Sequence, residues 1–124
     1  MINFVHSRLK DEFSKLHPQL IKILFWLDGF LNYHWRQSLI ITHLMRTQTE
    51  QEEIYGKGTS KKSVHQFGRG ADISVKDLFA NRIAPEILVD AINDAFPYAK
   101  PDYKTALYHE LDHRGRHIHI QVAE

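Results

Sequence analysis

Ser63-Val64-His65-Gln66-Phe67-Gly68-Arg69-Gly70-Ala71-Asp72 and, far downstream, His117-Ile118-His119 carry the residue types that grip a divalent cation. In an extended segment alternate side chains share a face, so His117 and His119 point one way while Ile118 and Ile120 point the other. A strand that buries two isoleucines normally places Thr, Lys or Glu on its second face, and two imidazoles there argue for chemistry. His65 and Asp72 stand at a spacing that fits neither a helical face pair nor a regular strand, so Gly68 and Gly70 are needed to turn the chain back. Two histidines, one aspartate and one open position would form a tetrahedral site of the kind catalytic zinc uses. The expected chemistry is metal-assisted hydrolysis with one Zn2+ ion.

Composition narrows the alternatives. The chain has no cysteine, which excludes disulfides, thiolate zinc fingers and cysteine nucleophiles and leaves histidine and carboxylate as the strong zinc ligands. Nine histidines supply them, while a net charge of +1 gives no electrostatic case for a nucleic-acid or anionic-membrane partner. Single histidines are more often structural than ligating, and His6, His17, His34 and His43 are read that way. With 124 residues the chain is expected to be one domain, residues 1–124, that buries roughly two-thirds of its unfolded surface without a staple. The opening residues Met1 to Arg8 lack a basic segment, a long apolar run and a small-residue cleavage site, so no signal peptide is expected and synthesis in the cytoplasm follows. The apolar stretch from Leu20 to Leu31 is broken by Lys22, Asp28 and Gly29 and is too short to span a bilayer, so no membrane insertion is expected.

Two helices are predicted to open the fold within residues 1–37. Leu9, Phe13 and Leu16 have helical spacing, and Pro18 suits the first turn of a second helix whose inner face is Leu20, Ile23, Leu24, Leu27 and Leu31. Phe25, Trp26 and Phe30 read as core aromatics. Residues 38–124 then form the metal-binding core. Ser38 to Leu44 is β-branched and reads as a strand, and Thr47 to Tyr55 as a short helix with Thr47 and Glu50 as a capping box. A loop from Gly56 to Lys62 delivers the chain to the metal motif. Asp72 to Val75 reads as a strand, Pro85 to Phe96 as an amphipathic helix, and Thr105 to Leu111 and Arg116 to Val122 as a closing hairpin. The predicted architecture is α+β, a small antiparallel sheet with flanking helices.

The hairpin leaves two registers open. With Arg114-Gly115 as a two-residue turn, Glu110 lies opposite His119 and Asp112 opposite His117, placing two carboxylates on the metal face as base and orienting partner. With His113-Arg114-Gly115 as a three-residue turn, His109 faces His119, Leu111 faces His117 and the carboxylates turn away. A slip of one residue exchanges the two faces.

From Thr42 onward the chain resembles a known family. Ser63, His65, Gly68, Gly70 and Asp72 with the late His-Xaa-His, preceded by Thr42-His43-Leu44-Met45-Arg46-Thr47 and then Glu50, Gln51 and Tyr55, look like the zinc D-alanyl-D-alanine carboxypeptidases and L-alanyl-D-glutamate endopeptidases of peptidoglycan, relatives of the hedgehog signalling domain. The resemblance implies that fold, with His65, Asp72 and His119 as zinc ligands and His117 as a catalytic or transition-state-stabilising histidine. It implies that Arg46 binds a substrate carboxylate or carbonyl, with Ser63 beside it on the substrate side. Gly70 stands where the family more often has Ala. The family's acidic or histidine catalytic residue shortly before the last ligand has no single counterpart here, and Glu110, Asp112, His113 and His109 are the substitutes. The implied substrate is a peptidoglycan stem peptide, cut at the bacterial wall by an enzyme of phage lytic type. A zinc-stabilised binding module that has lost turnover is the alternative.

Overall fold

The computed structural model describes residues 1–44, 56, 58, 65, 68–111 and 115–123, with backbone only at 110 and 111. Five strands form one sheet: β1 (Asn3–Phe4), β2 (Ile40–His43), β3 (Gly70–Ser74), β4 (Ala106–Leu111) and β5 (Gly115–Gln121), in the order β1-β2-β3-β5-β4. Among the described residues four helices accompany them: α1 (Ser7–Phe13), α2 (Pro18–Trp35), α3 (Lys76–Ala80) and α4 (Pro85–Ala95). The domain is α+β, but the sheet is mixed rather than antiparallel, because β1 runs parallel to β2 and pairs Asn3 with Ile40 and Phe4 with Ile41. A two-residue strand has too little alternation to be read from sequence, and β1 and α3 are both absent from the expected element list.

Helix α2 begins where Pro18 fixes φ at the first turn, and His17 caps it: its Nδ1 accepts the Gln19 N–H at 3.1 Å. Its inner residues Leu20, Ile23, Leu24, Leu27 and Leu31 are all buried, as the heptad-like spacing requires. They share one core with Leu88 and Ile92 of α4 and with Ile41, Ala71, Ile73, Ala106, Ile118 and Ile120 of the sheet. The N-terminal helices therefore pack into the same core as the metal-motif strands. Among the aromatics, Trp26 and Phe30 pack against this core, but Phe25 is 59% exposed and forms a T-shaped pair with Phe13. Asp28, the charge that interrupts the apolar stretch, has a structural use: Oδ1 accepts the Leu39 N–H at 2.9 Å and Oδ2 pairs with the Met1 amine at 3.3 Å. It ties α2 to the start of β2. Helix α1 stops at Phe13, so Leu16 reaches the core from the turn that follows.

The faces of the sheet follow from pairing. In β3 and β5, Ala71 is opposite Ile120 and Ile73 opposite Ile118 on the core face, while Asp72 is opposite His119 and Ser74 opposite His117 on the other. Strand β2 breaks its alternation. Ile41 pairs with Ile73 but His43 pairs with Asp72, a one-residue bulge at Thr42 that turns Ile41 to the core and His43 to the opposite face. Thr42 holds the bulge with its hydroxyl, which donates to the Asp72 carbonyl at 3.1 Å.

The terminal hairpin takes neither expected register. Leu111 pairs with Gly115, His109 with His117 and Leu107 with His119, which leaves residues 112–114 as the connection. Glu110 pairs with Arg116 and so does not stand opposite His119. The face assignment is that of the odd-length turn: His109 joins the strand positions of His117 and His119, and position 110 belongs to the alternate set with Ile118. Among the described residues, no helix is long and apolar enough to cross a membrane.

Candidate metal centre

Asp72 is the hub. It lies on the central strand with 1% of its surface exposed, and its Oδ1 is 2.9 Å from His119 Nδ1, 3.3 Å from His65 Nε2 and 3.6 Å from His117 Nε2. Cross-strand pairing with His119 accounts for the first contact. His65 arrives through the turn that ends at Gly68, whose N–H points to the His65 carbonyl at 3.5 Å. Gly68 has φ +68°, and a Cβ there would meet the Lys15 carbonyl oxygen at 3.3 Å, so the residue satisfies both a left-handed backbone and a close approach to the chain between α1 and α2. Its carbonyl accepts the His17 N–H at 2.9 Å, which fastens the turn to the start of α2.

The remote nitrogens of the two candidate ligand rings, His65 and His119, are engaged in ways that fix their protons. His65 Nδ1 is 2.6 Å from the Leu44 carbonyl, an acceptor only, so Nδ1 carries the hydrogen and Nε2 of the neutral ring presents its lone pair to Asp72. His119 Nε2 is 3.2 Å from Gln121 Oε1, and the same reasoning leaves Nδ1 of the neutral ring bare toward Asp72. Two lone pairs and a buried carboxylate oxygen then converge on one point. Such a cluster is favourable only around a cation, a shared proton or a metal ion.

The spacing suits a metal. Ligand atoms held at 2.0–2.2 Å in a tetrahedron stand about 3.3–3.6 Å apart. One candidate ligand atom from each of His65, Asp72 and His119 lies within 4.8 Å of the other two, and these three residues are the group among the described residues that could hold a metal ion. Without a metal the cluster is held by protons instead: burial opposes ionisation of Asp72, yet when His119 and His65 carry protons on the facing nitrogens their hydrogen bonds and positive charge outweigh it, holding the carboxyl far below the usual carboxylate range. Asp72 is thus ready as an anionic ligand at any physiological pH.

His117 is buried beside this group without belonging to it. The half-buried His109 packs against both neighbours, with ring centroids 5.5 Å from His117 and 5.8 Å from His119. Burial and the positive charge of His119 lower its pKa, with Asp72 pulling weakly the other way, so the His109 ring favours its neutral form. His43, read from sequence as structural, stands at the rim with Nδ1 4.0 Å from Asp72 Oδ2, brought there by the β2 bulge. Gln121 was also not foreseen, although it occupies the next position on the face of His117 and His119. Arg46, Ser63, Asp112 and His113 lie outside the described residues, as do the Thr47 to Tyr55 helix and most of the Gly56 to Lys62 loop. For Glu110 the backbone alone is described. No protein-family model, curated protein or solved structure matches this chain.

Proposed function

We propose that this chain is a zinc-dependent peptidase that hydrolyses peptidoglycan stem peptides at the bacterial wall, of D-Ala-D-Ala carboxypeptidase or L-Ala-D-Glu endopeptidase type. The observation that carries the reading is the convergence of His65 Nε2, Asp72 Oδ1 and His119 Nδ1 with both imidazoles tied at their remote nitrogens. Two imidazoles and one carboxylate are a donor set zinc favours, and three protein ligands leave a fourth position for chemistry. The ligand types are too hard for copper(I) and too nitrogen-rich for calcium or magnesium.

When bound, zinc would supply Lewis acidity, polarising the scissile carbonyl and lowering the pKa of bound water to about 7. The protein's own groups have the complementary roles. His117, buried with Nε2 3.6 Å from Asp72 Oδ1, is placed to donate to a carbonyl oxygen as negative charge develops on it, a role worth roughly 3 kcal/mol for a well-aimed donor. His109, held toward its neutral form, is the proton acceptor that the hairpin register favours over Glu110, and it can return the proton to the leaving amine. His43 at the rim can shape the approach of the chain. Arg46 and Ser63 keep the substrate roles that the family resemblance implies, Arg46 through a planar fork suited to a terminal or D-glutamyl carboxylate. A phage lytic or virion-associated enzyme fits a compact domain of this kind.

The test is mass analysis of muropeptides after purified peptidoglycan is incubated with the zinc-loaded protein. Loss of one terminal alanine identifies a carboxypeptidase, and severance between L-alanine and D-glutamate an endopeptidase. Both activities should vanish in His65→Ala and Asp72→Ala. Unchanged muropeptides from protein carrying one zinc per chain would refute turnover and leave a zinc-stabilised binding module.

A further inference from the structure

His119 is held by its neighbour on the strand. Gln121 lies two residues on, so its side chain shares the face of His119, and the residue paired across from it is Gly70, which offers no side chain to compete for the space. The amide is oriented from outside the site: Gln121 Nε2 donates to the Lys104 carbonyl at 2.9 Å, and a carbonyl cannot donate in return. That contact leaves Oε1 facing His119 Nε2 at 3.2 Å. Oε1 accepts only, so the neutral ring that metal binding requires places its single hydrogen on Nε2 and keeps Nδ1 bare on the side of Asp72 Oδ1, 2.9 Å away. Imidazole, amide and backbone carbonyl thereby form a chain of hydrogen bonds running outward, from His119 Nε2–H to Gln121 Oε1 and from Gln121 Nε2–H to the Lys104 carbonyl.

We propose that Gln121 is a positioning residue of the metal centre, selecting through its Lys104-anchored amide the His119 tautomer and ring orientation that ligate zinc through Nδ1. The inference rests on the reading of His65, Asp72 and His119 as a zinc site and extends it to a residue that touches neither metal nor substrate. Outer partners of this kind orient metal-binding imidazoles, and their removal typically lowers metal affinity about 10- to 100-fold. A purely structural role is the rival, since Gln121 also joins β5 to the segment before β4: its own N–H donates to the Thr105 carbonyl at 2.8 Å.

Two variants separate the roles. Gln121→Leu removes both side-chain bonds, whereas Gln121→Glu keeps an acceptor for His119 and loses the bond to Lys104. Zinc affinity is measured by chelator competition on the full chain, with the metal-free thermal midpoint of each protein alongside. Positioning predicts that Gln121→Leu binds zinc 10- to 100-fold more weakly, while Gln121→Glu binds within about threefold of the parent or more tightly, since carboxylate partners raise imidazole basicity. Both metal-free midpoints should fall together, because both lose Lys104. If Gln121→Leu misfolds, Gln121→Asn, whose amide is one methylene too short to reach His119, carries the same expectation. Zinc affinity unchanged in the Leu or Asn variant, or lost equally in the Glu variant, overturns the proposal. A parent chain that takes up no zinc overturns the zinc reading together with it, whereas a parent that binds zinc with indifferent variants overturns this inference alone.

Discussion

Replacing Gly68 with alanine tests how the metal turn is built. Two costs add. The backbone at φ +68° is left-handed, which costs an L-residue about 1–2 kcal/mol. The new Cβ would also sit 3.3 Å from the Lys15 carbonyl oxygen and 3.7 Å from Leu16 Cα, both main chain, so relief requires the segment between α1 and α2 to shift. Overpacking against a fixed neighbour costs about 1–3 kcal/mol, and the expected total is about 2–5 kcal/mol. Against a typical fold stability of about 5–15 kcal/mol the variant should still fold. Gly58 provides the control: its φ is +75° but a Cβ there meets nothing within 4 Å among the described residues, so Gly58→Ala is expected to carry the backbone cost alone. Urea unfolding of the metal-free proteins should place Gly68→Ala below Gly58→Ala by at least about 1 kcal/mol. Because the turn sets His65 relative to Asp72, zinc affinity should fall about tenfold or more in Gly68→Ala, an energy of only about 1.4 kcal/mol, and stay unchanged in Gly58→Ala. Equal destabilisation of the two variants with equal zinc affinity would refute the claim that contact with the α1–α2 turn holds the site.

Acidification should release zinc while Asp72 is still ionised, because metal binding needs unprotonated ligand nitrogens and the Asp72 carboxyl is held far below its ordinary 3.8. In the metal-free protein the depressed Asp72 pKa stabilises the fold fully above pH 3.8 and less as pH falls through lower values, so an unfolding free energy that rises on acidification below 3.8 would contradict the pairing. Asn93→Ala should cost about 2–4 kcal/mol in denaturant unfolding, since Asn93 both donates to the Ala106 carbonyl at 3.0 Å and accepts its N–H at 2.9 Å, and Asn93→Asp, which keeps only the acceptor, should recover part of that loss. Deleting residues 120–124 removes the buried Ile120 and Val122, worth about 3–6 kcal/mol together. A truncated chain with parental thermal stability and full zinc occupancy would show that the end of β5 does not support His119.

Local chemistry made much of this legible. The inner face of α2, its start at Pro18 and the split of β5 into an isoleucine face and a histidine face depend on periodicity and on one rigid ring, and both act within a few residues. His65, Asp72 and His119, which the fold gathers into a group able to hold a metal ion, could likewise be singled out, because without cysteine a nitrogen-and-oxygen site has few other donors. What the sequence could not decide were choices between nearly equal backbone paths. The hairpin register set whether a carboxylate or His109 shares the site's face, and both turns were sterically acceptable until the pairing of Leu111 with Gly115 fixed the parity. The bulge at Thr42 moved His43 to the rim of the centre, although two-residue periodicity assigned it to the side of Ile41. Gln121 gained its orientation from Lys104, seventeen positions away, by a contact that no local pattern encodes. Side-chain chemistry and its period are written along the chain; which side chains meet is settled by register and tertiary contact, where a shift of one residue costs little locally and exchanges an entire face.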